Sequence, residues 1–421
     1  MRIRYGFNDV PKTYESIILA LQHVLAAIGG IITVPLAIGA AIGLPPMDIS
    51  ILVSAAFIAS GIGTLIQCIG IGPVGAKVPG LMGSEIEFLA PSMEVGKYYG
   101  LPGIFGGIIA GSFFEILLSR MLKYLGKLFS PVVRGTLILI VGLTFMPIGI
   151  RWISGSAAEL GIAFLVIVLI IVLNTFGKGI ISSGAILFSM LIGYAIAFLG
   201  GFVGHINVLE RGIIAFPKPL SYGITFNPAA IIPFAVVYVI SMIEMVGSLF
   251  AIGEACNEDM SMERIANGVL ADGVTSTIAG FLNSMPLTTF NQNVGIIALT
   301  GVASKRVITI SGIILIAFGL FPPLGSIFGA IPQAVLGGAV LVMFGMVSAT
   351  GIGILKNVEM NNRNMLIISV SVSLAVGVSS FPEIFSPLPA WAQMIFSSGL
   401  VTGCIASILM NYILPEEKNA A

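Results

Sequence analysis

Charge is what this chain has least of. Asp, Glu, Lys and Arg make up only 9% of its 421 residues against 57% hydrophobic, and the mean hydropathy is +1.07. That balance excludes a water-soluble domain. No basic block and no G-x-x-x-x-G-K-[ST] phosphate loop occur, so nucleic-acid binding and ATP hydrolysis have no support. Histidine is nearly absent: His23 and His205 stand about 180 residues apart, which leaves no paired haem or metal ligands. No cofactor and no enzymatic role are expected. Cys68, Cys256 and Cys404 have the spacing of neither a metal site nor a disulfide framework, and they read as packing residues. The polar start MRIRYGFNDVPKTYES meets the first apolar run without the small-residue cleavage site of a secretory signal, so the N-terminus is expected to be retained.

What the chain has instead is a succession of apolar runs, several of them near the ~20 residues that cross a bilayer as a helix. Fourteen segments can be read, including a third over 80–92, a fourth over 102–122, a seventh over 180–204, an eighth over 229–252, a ninth over 265–282 and a tenth over 288–300. The third and tenth are too short to cross alone. With an even count both termini share one side, and that side then holds 15 of the 19 Lys and Arg residues. The other side keeps Lys97, Arg151, Arg211 and Lys218. The positive-inside rule makes both termini cytoplasmic, in a multi-pass protein of the plasma membrane.

The short segments lie seven apart, and each follows a lead-in broken by Gly or Pro: GPVGAKVPGLMGSEIEF before one, NSMPLTTFNQN before the other. Two repeats of seven spans must insert with opposite orientation. Interrupted segments at matching positions of inverted repeats mark a transporter's binding site near the bilayer midplane. The plainer reading is two poorly apolar helices in a large bundle.

Ionisable groups in membrane segments cost about 2.5–3.5 kcal/mol each even on a lenient scale. Here they are Glu85, Glu87, Glu115, Glu244 and Asp272, with the Gln22-His23 pair in the first segment. In the tenth segment Asn291, Gln292 and Asn293 stand in a row before Val294 and Gly295. If the segment starts extended after Pro286 and turns helical near Gly295, Gln292 and Asn293 sit beside the free N–H groups of a half-helix. A glutamine amide offers a donor and an acceptor side by side, matching the N–H/C=O edge of an imide or lactam ring. Glu244 can accept N–H bonds from the same ring. The alternative is that these amides only bond across helices.

These residues resemble the nucleobase-ascorbate transporter family, the nucleobase:cation symporters of the second type. Its signature, Gln, Glu or Pro followed by N-x-G-x-x-x-x-T, reads here Gln292-Asn293-Val294-Gly295 through Thr300. The resemblance extends to QHVLAAIGGIITVP in the first segment, ISMIEMVGSL around Glu244, and NGVLADGVTSTIAGFLNSMPLTTF before the motif. It implies an all-α membrane fold of two inverted seven-span repeats, with short strands in segments three and ten. It implies a core (1–126 and 228–328) and a gate (127–227 and 329–421), a homodimer, and elevator-like motion. It implies import of a purine nucleobase, xanthine or uric acid, by proton symport. By the same resemblance Glu244, Gln292, Asn293, Ile86 and Gly295 bind substrate, while Asp272, Glu244 and His23 serve proton coupling.

The chain departs from the family where segment three reads Gly83-Ser84-Glu85-Ile86-Glu87-Phe88 rather than small or aromatic residues, and where Ser248 replaces an acid or histidine four residues after Glu244. Glu85, Glu87 and Ser248 are therefore additional candidates. Two carboxylates two apart face one side in a strand and diverge in a helix. Asp272 could instead cap Thr275 or Ser276, and His23 could support segment eight or Asp272. Glu115 reads as structural, near Arg120 and the surface, and His205 as an ordinary loop residue. Gly107 and Gly111 read as close helix packing. Among competing functions, a uracil or other nucleobase permease keeps the mechanism. An anion exchanger of the related fold should lack carboxylates at its site, and a passive channel would not accumulate substrate.

Overall fold

Apolar length decides most of the architecture. The computed structural model describes residues 4–125, 130–153, 155–178, 180–203, 212–290, 293, 296–297, 301–389, 392–393 and 396–415. Gln292, Gly295 and His205 lie outside the described residues. Among the described residues eight helices are long and apolar enough to cross a membrane, and one bent pair could form a further span.

The chain opens with α1 (Thr13–Ala41) and α2 (Pro46–Ile69). Pro46 suits the first turn of α2, where its missing N–H is no loss, and Gly70, at φ 77°, ends the helix in a conformation that favours glycine. A three-residue strand β1 (Met82–Ser84) and a 3-10 turn (Ile86–Phe88) follow, then α3 (Leu89–Leu125). The expected third and fourth segments thus run into one another, separated only by a break at Gly100 (φ 63°, ψ −165°), where a side chain would be strained. α4 (Pro131–Ile153), α5 (Ala157–Phe176), α6 (Ile180–Ser183) and α7 (Ala185–Leu199) come next, so the expected seventh segment is broken in two. The second half repeats the opening: α8 (Pro228–Cys256), α9 (Met262–Phe281) and a strand β2 (Leu287–Thr289). It continues with α10 (Lys305–Gly319), bent by 77° into α11 (Pro322–Gly329), then α12 (Gln333–Leu355), α13 (Asn362–Ser380) and α14 (Gly399–Ile413).

The chain separates into two compact units, one of residues 1–120 and 152–339, the other of 121–151 and 340–421. In the first, glycines let helices meet backbone to backbone. A Cβ at Gly61 of α2 would lie 2.5 Å from the Gly312 carbonyl oxygen of α10, and one at Gly319 would lie 2.5 Å from the Ser54 carbonyl oxygen. Lipid offers no hydrophobic drive for two apolar helices to meet, so such close packing is what holds them. In the second unit α4 meets α12 in the same way, with Gly351 against the Leu139 amide and Gly142 against the Phe344 carbonyl. α13 packs on α14, and Arg363 ties them by donating to the Asn411 carbonyl oxygen at 2.6 Å.

The first unit holds β1 and β2, paired antiparallel with Met82 opposite Thr289 and Ser84 opposite Leu287. Replacing Gly61 with Val should drive α2 from α10 and lower stability by roughly 1–3 kcal/mol, the range for overpacking. Gly353→Ala, where a new Cβ meets nothing within 4 Å, is the control. Thermal denaturation in detergent followed by size-exclusion fluorescence checks this; equal midpoints would contradict the packing.

Candidate functional site

The site is built where two helical runs are interrupted. Extended backbone inside a membrane must have its N–H and C=O groups satisfied by protein. β1 and β2 satisfy each other, and the ladder is lengthened at both ends by Glu85 N–H to the Pro286 carbonyl (2.9 Å) and Phe290 N–H to the Leu81 carbonyl (2.9 Å). Side chains of neighbouring helices finish the work. Thr64 accepts from the Met82 amide (2.9 Å), and Ser276 accepts from the Leu287 amide (3.0 Å). Gln67 donates to Thr289 Oγ1 (3.2 Å) and accepts from the Ala76 amide (2.9 Å). The Phe290 ring fills a slot where Gly30 and Gly83 have no side chain to obstruct it.

Asn293 is helical, three residues past Phe290. Its Nδ2 donates to the Pro79 carbonyl (2.7 Å), which leaves Oδ1 as the atom facing His23 Nδ1 at 2.7 Å. An amide oxygen only accepts, so His23 carries a proton on Nδ1. His23 therefore supports the signature asparagine. Both residues are buried.

Glu85 stands just after β1 and Glu87 in the 3-10 turn, which Phe88 locks to α8 by stacking on Phe234 (5.8 Å between centroids) and leaning on Tyr238 (4.5 Å). Both carboxylates are buried. One oxygen each from Glu85, Glu87 and Glu244 lies within 4.8 Å of the others. Ile86, between them, is half-buried, and so is Glu244, the most accessible acid of the group. Ser248, one turn further along α8, donates to the Glu244 carbonyl oxygen (3.0 Å).

Behind this front row lies a second. Ser241 Oγ is 2.9 Å from Glu85, 3.4 Å from Asp272 and 3.5 Å from Glu115. Glu115 and Asp272 are fully buried. One serine hydroxyl can donate to only one of three acceptors, and Glu85, Glu115 and Asp272 each keep a buried oxygen without a hydrogen-bond partner among the described residues. Among the described residues Glu85, Glu87, Glu115 and Asp272 take part in no ion pair.

Two sequence expectations are corrected here. Glu115 is not a surface residue paired with Arg120: Gly273 lets α9 approach Ile116 and Ser112, with Ser112 and Thr277 hydroxyls 2.7 Å apart, and this brings Glu115 against Asp272. Asp272 does not cap Ser276, whose hydroxyl belongs to Leu287. Thr275 reaches Asp272 through its backbone carbonyl, at 3.1 Å, and also lies 4.0 Å from Met82 Sδ. The available signal for Glu115 was the run of small residues GGIIAGS before it, on a helix that could press closely on another.

A half-buried acid in front of a strand-framed break thus lies with buried carboxyls inside a many-helix membrane chain. The Permease family profile matches residues 14–384. The chain belongs to the nucleobase-ascorbate transporter family. It is 37% identical to the uric acid transporter UacT of Escherichia coli, covering 94% of this chain and 85% of that one. It is 35% identical to the xanthine permease of Bacillus subtilis, covering 98% and 95%. A Clostridium perfringens protein with a provisional purine-permease name is 42% identical over 99% of this chain and 94% of its own length. The transmembrane domain of the cyanobacterial bicarbonate transporter BicA superimposes with a TM-score of 0.64 at 14% identity, covering 87% of this chain and 97% of that one, which shows a shared fold.

Removing either partner of the His23–Asn293 bond leaves a buried polar atom unpaired, at roughly 1–3 kcal/mol. His23→Ala and Asn293→Ala should each lower the thermal midpoint, and the double variant should fall less than the sum by about 0.5 kcal/mol or more. Additive losses would contradict the pairing.

Proposed function

We propose that the protein imports an oxidised purine, xanthine or uric acid, across the plasma membrane together with protons. The observation that carries this reading is the gathering of one half-buried acceptor, Glu244, with four buried carboxyls, three of them around Ser241. A ring N–H donating to Glu244 places the substrate beside Glu85 and Glu87, each with an oxygen within 4.8 Å of a Glu244 oxygen. Substrate binding and the protonation of Glu87, Glu85, Asp272 and Glu115 are thereby linked. Gln292 reads the adjacent N–H/C=O edge of the ring, with Asn293 fixing the backbone beside it, and Ile86 and Gly295 close against the ring. The names of the relatives support a purine over uracil or another base.

In this reading both termini are cytoplasmic, and a core of residues 1–126 and 228–328 moves against a gate of 127–227 and 329–421 in an elevator-like step, within a homodimer. Anion exchange is the second reading, because the solved bicarbonate transporter shares the fold. The acid-lined pocket opposes it, since an inorganic anion would meet negative charge where it needs positive.

Because the proton is a co-substrate from outside, uptake of labelled xanthine or uric acid should rise as external pH falls, and a protonophore should remove accumulation. Asp272→Asn should abolish accumulation yet leave bound substrate detectable. Gln292→Glu should shift preference away from xanthine and uric acid, read by competition with uracil and hypoxanthine. Intact accumulation in Asp272→Asn, or an unchanged competition profile in Gln292→Glu, would refute the corresponding role.

A further inference from the structure

Residues 4–9 do not hang free ahead of α1; they form a strap along the end of segment ten. Asn293, Ile296 and Ile297 are helical, and Gly301, at φ 70°, ends the run with its amide donating to the Ile297 carbonyl (2.8 Å). A helix end leaves carbonyls without partners. Here the Gly301 carbonyl accepts from two amides of the strap, Arg4 (2.8 Å) and Tyr5 (3.1 Å). Tyr5 pairs in parallel with Val302, its carbonyl accepts from the Ala303 amide (2.8 Å), and its side chain packs on Ala20, Val302 and Val307. The Phe7 carbonyl accepts from the Lys305 amide (3.2 Å), and the Asp9 carbonyl from the Ser304 hydroxyl (2.7 Å). The strap thus follows the chain from segment ten into α10.

Phe7 is where the strap meets the other broken segment. Its ring is 9% exposed, with the Lys305 ammonium 4.5 Å and the Arg264 guanidinium 5.1 Å from its centroid. Lys305 opens α10, four residues past Gly301. Arg264, in the first turn of α9, donates from Nε to the Ala76 carbonyl (2.8 Å) and from Nη2 to the Lys77 carbonyl (3.2 Å), in the lead-in to β1. Two cations repel each other, and the electron-rich face of one ring gives both a favourable neighbour. Two residues past Lys77, the Pro79 carbonyl accepts from Asn293. The stretches 76–79 and 293–305 are therefore tied twice, by Asn293 near the strands and by Phe7 at the start of α10.

We infer that Phe7 is a positioning residue for substrate binding: through Arg264 and Lys305 it holds segments three and ten in register, so that Ile86 and Gln292 reach the same ligand. The inference rests on the transport reading for what that ligand is. Phe7 itself stands away from the ligand. A looser register has to be ordered again in each binding event, which costs affinity. A merely structural anchor would instead lower the number of folded molecules, and with it the maximal rate, at unchanged KM.

Uptake of radiolabelled xanthine and uric acid by cells without purine permeases of their own, normalised to folded protein, tests this together with hydrogen–deuterium exchange of the purified full chain. Phe7→Leu, which keeps apolar bulk and removes the ring face, should raise KM about fivefold or more, the low end of ordinary coupling between separated sites, with the maximal rate per folded molecule within about twofold. Phe7→Tyr keeps a ring face and should restore the unaltered KM. Exchange over 287–303 should quicken in Phe7→Leu, while α13 and α14, in the other unit, stay as they were. Lys305→Gln leaves the ring and removes one of its two cations; it should raise KM in the same direction, and it decides the matter should Phe7→Leu not fold. Unchanged exchange, quicker exchange with unchanged KM, or an equal rise of KM in Phe7→Tyr would overturn the positioning role while leaving the transport reading standing. Uptake of neither purine by the unaltered protein would overturn both.

Discussion

Backbone that leaves the helix inside a membrane has to find its hydrogen bonds in the protein, and here it finds them by exchange between the two halves of the chain. β1 gives its amides and carbonyls to β2, with one further bond at each end. Everything local to the site follows from that exchange. The strands need polar side chains from α2 and α9, which explains Thr64, Gln67 and Ser276 in otherwise apolar helices. They need glycine where rings cross them, which explains Gly30 and Gly83 under Phe290. They also set the register in which Glu85 and Glu87 face Glu244 from across the break.

The carboxyl cluster is the second consequence. Ionised acids buried together repel strongly in a medium of low dielectric. Ser241 is a common neighbour for three of the groups. A protein that only needed a stable bundle would gain by replacing such a network with apolar side chains. Its place beside the half-buried Glu244 sets it apart from the apolar packing of the rest of the bundle.

Much of this was legible in the sequence, and the reasons are local. The interrupted segments announced themselves through Pro79 with its glycine-rich surroundings and through Pro286, and Glu244 stood out as an acid in an apolar run. The pairing of His23 with Asn293, 270 residues apart, was not legible, because it depends on which face α1 turns to the second half. Glu115 was misread for a related reason. Its nearest charge along the chain is Arg120, yet its neighbour in space is Asp272, reached only because Gly273 and Ser112 let two helices touch. Sequence proximity is a poor guide to partners when helices are long and nearly everything between them is apolar. The break at Gly100 replaced an expected loop because a single glycine suffices to turn a helix sharply.

The antiparallel pair also has a consequence in time. β1 and β2 are separated by about 200 residues, so a ribosome adding 5–20 residues per second finishes the second strand roughly 10–40 s after the first. For that interval the first half sits in the membrane with unpaired strand edges and with Glu85 and Glu87 lacking Glu244. Those groups must be sheltered by water, lipid headgroups or insertion machinery until α8, α9 and β2 arrive. The feature that makes the finished site possible makes its assembly the slow and exposed stage in the life of the molecule.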